Sequence, residues 1–426
     1  MQITISNIGK ISSATLELRG ITVIVGDNNT GKSTIGRCLY GFFNSLCGID
    51  DEIDYQRKRQ LFREIRSLSD SFTYHDIGLR AVEQLVDDYL ANGDVNPLKE
   101  WVYRRFGSKV DMNTIEKTLY NMTSVRNMPK EDIRNQIIFN YFNALFAEQF
   151  LSVRDKVDNG FVVGKLKGNP VEIRLYGDKA TYNSQLNIQH KAFFVEDSEV
   201  LNYWGRYRYA GGMNVLSDSI RRGVNRVIKS KKDDNPSYDA LEDLLFGGAY
   251  KRMLDRLRNI IKGQFIFDEN EIIRFEDDAH RSARFDLCNV SEGVKGFGVL
   301  GVLLSQKVLG FEDVLILDEP EVHLHPSWQL KFAEFIVLLQ HEFNLTVLLT
   351  THSSMFLFAL QLYARKYKML DKLNAYEIIP DSNFPGFSVV RNHDGVTDDV
   401  DDAILSFVAT NEELSRLIDE VNMEEK

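Results

Sequence analysis

Residues 21–34 read Ile21-Thr22-Val23-Ile24-Val25-Gly26-Asp27-Asn28-Asn29-Thr30-Gly31-Lys32-Ser33-Thr34, a β-branched run leading into G-x-x-x-x-G-K-S. A short apolar strand, a tight loop and a helix start aim backbone N–H groups at a triphosphate. Lys32 is placed to reach the β- and γ-phosphates and Ser33 to offer a hydroxyl to Mg²⁺. The loop needs a residue at φ > 0, and Asn29 is the type that adopts this conformation best after glycine.

Working outward, Val314-Leu315-Ile316-Leu317-Asp318-Glu319-Pro320 is an apolar run that ends in two carboxylates. A fully apolar run reads as a central parallel strand, and ligands of open α/β sheets bind at the C-terminal strand edge. Neighbours on a strand point in different directions. Asp318 can therefore hold Mg²⁺ while Glu319 polarises the attacking water. Leu348-Leu349-Thr350-Thr351-His352-Ser353 is a second apolar strand, and its His352 is placed to contact the γ-phosphate. Ser291-Glu292-Gly293-Val294-Lys295-Gly296 opens the helix before the acidic strand. A serine and a glycine at a helix start make a second anion cradle. One ATP needs one cradle, so the second is expected to serve another subunit's ATP.

These four elements in this order resemble the ABC-type ATPases, more narrowly the soluble SMC-like branch sometimes labelled AAA-type. That branch includes anti-phage ATPases of Septu, retron and overcoming-lysogenization-defect systems. The resemblance rests on the motifs above, on strand-turn-strand over Ile3–Leu18, and on Asp318-Glu319-Pro320-Glu321-Val322-His323-Leu324-His325-Pro326. It covers residues 1–48 and 285–360 and implies an α/β fold. The expected core is an ABC-type head with a mainly parallel sheet, an antiparallel β part and a large helical insertion. It also implies a site. Gly26, Asn28, Asn29, Thr30, Gly31, Lys32, Ser33 and Thr34 bind ATP. Ser33 and Asp318 hold Mg²⁺. Ser291 and Gly293 cap a partner's γ-phosphate, Glu319 is the catalytic base and His352 the switch histidine. Residues 321–325 form a loop crossing the dimer interface, which accounts for His323-x-His325 better than a metal pair does. Two departures stand out. Glu292 occupies the place of the usual first signature glycine, and no Q-loop glutamine is evident, with Gln189 and Glu196 flanking the strand where one belongs.

The 426 residues carry 51 Lys and Arg against 62 Asp and Glu, a net charge of −11, which argues against a general nucleic-acid coat. Three cysteines, Cys38, Cys47 and Cys288, have no metal or redox spacing and fit a reducing cytoplasm. Neither a leader pattern nor an 18-residue apolar run is read, so no membrane span is expected.

The expected organisation is an ATPase core over 1–48 and 285–393, a helical insertion over 49–155, a mixed strand and helical lobe over 156–284, and an acidic tail over 394–426. Within it, helical spacing marks Tyr55–Leu68, Leu79–Leu90, Ile115–Asn121 and Glu131–Leu151. Strands are expected at Phe161–Lys165, Val171–Tyr176, Leu186–Gln189 and Ala192–Val195. A mobile loop is expected at Ser230–Tyr238 and a tail helix at Glu412–Met423. The basic stretches Arg57-Lys58-Arg59 and Arg104-Arg105 read as solvated helix faces rather than a nucleic-acid arm, because acidic residues interleave.

The expected function is a slow ATPase that forms a homodimer or higher homo-oligomer around two ATP molecules. Its expected role is as regulator of a defence complex with a separate effector such as a nuclease; nucleic acid remains an open partner class. The alternatives are an ATP-dependent scaffold with little turnover and a DNA-maintenance SMC-like ATPase. A transporter motor is disfavoured, because the long stretch between phosphate loop and signature looks like arms.

Overall fold

The structure, a computed structural model, describes residues 1–68, 79–107, 110–153, 157–166, 168–184, 186, 188–204, 215–232, 239–280 and 283–392. The acidic tail with its expected helix, and most of the Ser230–Tyr238 loop, lie outside the described residues.

In chain order, β1 (Gln2–Ile8), β2 (Ile11–Glu17) and β3 (Ile21–Val25) lead into α1 (Lys32–Leu46). Helices α2 (Ile49–Ser67), α3 (Leu79–Asn92), α4 (Asn96–Phe106), α5 (Met112–Asn127) and α6 (Lys130–Leu145) follow. Next come β4 (Asn159–Leu166), β5 (Asn169–Tyr176), β6 (Ala180–Asn183), β7 (Ala192–Val195), α7 (Val215–Lys232) and α8 (Asp239–Ile261). Then β8 (Gly263–Phe267), β9 (Ile273–Asp277) and β10 (Arg284–Asp286) precede α9 (Glu292–Ser305). The chain continues through β11 (Val314–Asp318), α10 (Pro326–Phe343), β12 (Thr346–Thr351), α11 (Ser354–Lys366), β13 (Leu373–Pro380) and β14 (Ser388–Asn392).

The described residues divide into two compact units, one of residues 1–44, 141–186 and 190 onward, the other of 45–140 with 187–189. In the first unit an eleven-stranded sheet runs β6-β5-β4-β1-β2-β14-β13-β3-β12-β11-β7. From β13 to β7 every neighbouring pair is parallel. The β6-β5-β4-β1-β2 end is antiparallel throughout. A separate sheet, β10-β9-β8, is antiparallel. The expected mixed fold is therefore present.

The parallel part is buried on both faces, which is why β11 reads as an unbroken apolar run: all five of its residues are buried. Helices α9, α10 and α11 carry much of the cover. The Phe297 ring of α9 lies 4.7 Å from that of Phe332 and 5.7 Å from that of Trp328, both on α10. Phe332 in turn reaches Phe356 of α11.

In the second unit α2 to α5 share a core that includes Leu61, Val86, Leu98, Val102, Phe106 and Ile115. Many of its basic side chains are paired internally. Lys58 meets Asp87 at 2.7 Å, Arg104 meets Glu100 one turn away, and Arg57 donates to the Met128 carbonyl. That is the behaviour of solvated helix faces.

Three elements differ from expectation. Helical spacing runs over Glu131–Leu151, but α6 stops at Leu145, because Ala147 and Glu148 take left-handed φ of 47° and 67°. Leu186–Gln189 is not a strand: among its described residues only Ile188 pairs, in an isolated bridge with Cys47. Helix α4 is additional, although Pro97 at its start and the i, i+4 spacing of Leu98, Val102 and Phe106 carry its signal. No described helix is long and apolar enough to cross a membrane.

Phe297 is fully buried. Phe297→Ala is expected to lower stability by about 3–5 kcal/mol, read as a fall in the denaturant midpoint of the main transition.

Candidate functional site

Parallel register decides which chemistry meets. Val25 stands opposite Thr351, and Thr350 opposite Asp318, so β3, β12 and β11 end together at one sheet edge. The three segments that leave this edge are the phosphate loop, the His352 turn and the Glu319 turn.

In the loop, Gly26, Asn29 and Gly31 have φ of 155°, 65° and 104°. Asn29 thus takes the left-handed position that its residue type suits. A Cβ on Gly31 would sit 2.8 Å from Ile11 Cδ1. The loop is held by Thr30 Oγ1 donating to the Asp27 carbonyl at 2.8 Å and Lys10 Nζ to the Asn29 carbonyl at 3.0 Å. Asp27, Asn28 and Asn29 are exposed, whereas Lys32 is buried. α1 starts at Lys32, so Lys32, Ser33 and Thr34 stand at a helix N-terminus, where N–H groups lack helical acceptors.

A buried cation must be compensated. Lys32 Nζ donates to the carbonyls of Gly26 at 2.7 Å and Asp27 at 2.9 Å, and lies 3.1 Å from Glu319 Oε1. The other Glu319 oxygen, Oε2, is hydrogen-bonded to His352 Nδ1. Glu319 adopts a left-handed φ of 47°, and its N–H donates to Thr350 Oγ1 at 3.0 Å. That hydroxyl donates to Asp318, which is buried. Ser353 then caps α11 by accepting from the Phe356 N–H. Lys32, Asp318, Glu319 and His352 are therefore brought together, with Ser33 beside them at the start of α1.

Ser291 and Gly293 lie on the other flank. Strand order places β12 and β11 between β3 and β7, which at about 4.8 Å per strand separates β3 from β7 by about 14 Å. Ser291 is the exposed N-cap of α9. Glu292 faces the β7 side, where it accepts from Ser198 Oγ and pairs with buried Lys295 at 2.7 Å. Burial opposes the charge on Glu292, but the bonds to Lys295 and Ser198 outweigh it and hold the carboxyl below its ordinary range. Gly293 has a packing reason of its own, because a Cβ there would come 3.2 Å from the His323 carbonyl.

The structure separates the two Q-loop candidates. Val195 pairs with Leu317, so Glu196 follows β7 at the same edge as Asp318, whereas Gln189 precedes β7. Glu196 pairs with Arg37 of α1 at 2.8 Å. A cavity of about 380 Å³ extends from Glu196, Asp197 and Ser198 past Glu292 to Asp318 and Glu319. Of the expected crossing loop, Glu321 turns inward and is buried, while Val322 is exposed. His325 caps α10 through Nδ1, accepting from the Ser327 N–H at 3.3 Å. Thr350 and Thr351, which no motif marks, join the two strand ends through their hydroxyls.

The donor set suits a Mg-nucleotide. A helix N-terminus, a buried lysine and a tight loop in which a Cβ would clash are chemistry for phosphate. A serine hydroxyl and a carboxylate are hard oxygen ligands of the kind Mg²⁺ takes.

Residues 178–359 match the family described as "AAA domain, putative AbiEii toxin, Type IV TA system", and residues 1–155 match the family described as "AAA ATPase domain". The first of these matches lies within residues 178–359 and the second runs through the helical unit, and the nucleotide that AAA ATPase domains bind is ATP. No curated protein sequence matches it significantly. Among solved structures it is similar to the SMC head domain from Thermotoga maritima, at 10% identity and TM-score 0.39, covering 92% of this chain and 98% of that one. It is also similar to an SmcHead bound to the C-winged helix domain of ScpA, at 11% identity and TM-score 0.44, covering 92% and 96%. The Smc head domain with an extended coiled coil bound to the C-terminal domain of ScpA, from Pyrococcus furiosus, gives 9% identity and TM-score 0.41, covering 99% and 98%.

The left-handed φ of Asn29 yields a test. A β-branched residue there costs about 1–2 kcal/mol. Asn29→Val is expected to weaken binding of a fluorescent ATP analogue by about tenfold or more, and Asn29→Gly to leave it within about threefold.

Proposed function

We propose that the protein is an ATP-hydrolysing ABC-type ATPase in which two copies close around two ATP molecules. The observation that carries this is the Glu319 carboxylate held between Lys32 and His352 at the edge where β3, β11 and β12 end. Lys32 and the N–H groups of the loop bind the phosphates, and Ser33 with Asp318 would hold Mg²⁺, which supplies charge neutralisation when bound. Glu319 accepts the proton of the attacking water, and His352 orients the carboxylate. Glu196 follows β7 at this edge, with its carboxylate paired to Arg37. Ser291 and Gly293 open a helix on the far flank of β11 from the loop, so a second copy is needed to bring such a pair to each ATP. Closure follows ATP only by its differential affinity for the closed state.

The biological setting we infer is a bacterial anti-phage or toxin–antitoxin complex. There the ATPase acts as sensor or regulator of a separate effector such as a nuclease. The family matched over residues 178–359, with its putative AbiEii toxin of a type IV toxin–antitoxin system, supports this. The helical insertion is the element available for recognition. A second reading, an ATP-dependent scaffold with little turnover, is favoured by Glu292, a negative charge beside the helix start that would meet a partner's phosphate.

Glu319→Gln is expected to trap an ATP-bound dimer on size exclusion, with turnover down about a hundredfold or more. Lys32→Ala is expected to abolish nucleotide binding. A Glu319→Gln protein that stays monomeric with saturating ATP counts against the dimer, and wild-type protein releasing no phosphate points to the scaffold.

A further inference from the structure

One buried carboxyl at this edge has no part in phosphate binding or water activation. Glu321 is only 3% exposed. It is folded inward by a tight turn: Glu319 and His323 take left-handed φ of 47° and 70°, and the Val322 N–H donates to the Glu319 carbonyl at 3.1 Å. Its Oε1 accepts a hydrogen bond from Thr351 Oγ1 and lies 4.0 Å from His352 Nδ1. Its Oε2 is buried with no hydrogen-bond partner among the described residues. Thr351 Oγ1 also accepts from the Ser353 N–H at 2.9 Å. The residues on both sides of His352 are thus tied to one carboxyl through one hydroxyl.

A carboxyl is a costly filler for a dry site, since an apolar side chain would pack there without a polar atom to satisfy. Burial pushes the Glu321 pKa up, and the neighbouring Glu319 charge adds to that, while the Thr351 bond and His352 oppose it. What the carboxyl supplies and an apolar residue does not is an acceptor for Thr351.

We propose that Glu321 is a positioning residue: through the Thr351 hydroxyl it fixes the 351–353 turn so that His352 Nδ1 meets Glu319 Oε2. The proposal rests on the assignment of Glu319 and His352 to ATP hydrolysis. The loop that binds phosphate is on β3, so loss of this bond lowers turnover and leaves ATP binding intact. The Glu321→Gln substitution keeps an amide oxygen for Thr351 in nearly the same volume, and Glu321→Ala removes the acceptor.

The test compares Glu321→Gln, Glu321→Ala and Thr351→Val in the full chain, with steady-state ATPase kinetics and ¹⁵N spectra of the eight histidines, His352 being assigned through His352→Gln. Glu321→Gln is expected to keep kcat within about threefold, while Glu321→Ala and Thr351→Val lower it about tenfold or more with KM for ATP changed less than about threefold. The His352 imidazole signals move in the latter two and stay in place in Glu321→Gln. Thr351→Val is nearly isosteric and keeps the test usable if Glu321→Ala does not fold. Wild-type turnover and unmoved His352 signals in Thr351→Val overturn the proposal, as does a Glu321→Gln protein as slow as Thr351→Val. If the wild type hydrolyses no ATP, the proposed function fails, and the His352 spectra still decide the positioning role.

Discussion

The site is organised by a buried cation. Lys32 sits at the start of a helix and behind a glycine-rich loop, where its charge is cut off from water and must find negative partners. Two loop carbonyls supply part of the compensation and the Glu319 carboxylate supplies the rest at 3.1 Å. Glu319 comes from β11 and Lys32 follows β3, so this ion pair spans β12 and requires that all three strands end level. In the proposed ATPase, the phosphates of the nucleotide compete with Glu319 for this same charge.

That level edge follows from the apolar core. β3, β11 and β12 are largely apolar and are buried on both sides, so their hydrophobic cover leaves their charged groups only at the strand ends. The parallel register converts three motifs distant in the chain into one row. Thr350 and Thr351 then act as connectors. One hydroxyl joins Asp318 to the Glu319 backbone, and the other joins Glu321 to the turn that bears His352. Hydrogen bonds in a buried place of this kind are strong, and leaving a partner unsatisfied there is costly. Carboxylate and imidazole are thereby held at fixed positions.

The two flanks of β11 have different electrostatics. On the β12 side, the cationic Lys32 faces the loop. On the β7 side, Glu196, Asp197 and Glu292 line a cavity, and the positive charges of Arg37 and Lys295 are already engaged by Glu196 and Glu292. The helix start at Ser291 offers its N–H groups from a surface where Glu292 tempers them.

The phosphate loop, the acidic strand end and the His352 strand were legible in the chain because each is local: its residue types, their order and a strand of β-branched or apolar residues are contiguous. Even the left-handed Asn29 could be read this way, since the choice between Asn and Gly is made within one residue. Leu186–Gln189 and the end of α6 were not legible, because pairing partners and two left-handed residues decided them. Glu196 could not be told from Gln189 along the chain, for both flank the same strand; only its direction in the sheet puts one of them at the edge of Asp318 and Glu319. The inward turn of Glu321 and the linking role of the threonines belong to the tertiary structure as well. Sequence determines which side chains carry charge and which segments become strands. The register of buried parallel strands determines which of those charges meet, because hydrogen-bonded pairing aligns residues that lie hundreds of positions apart.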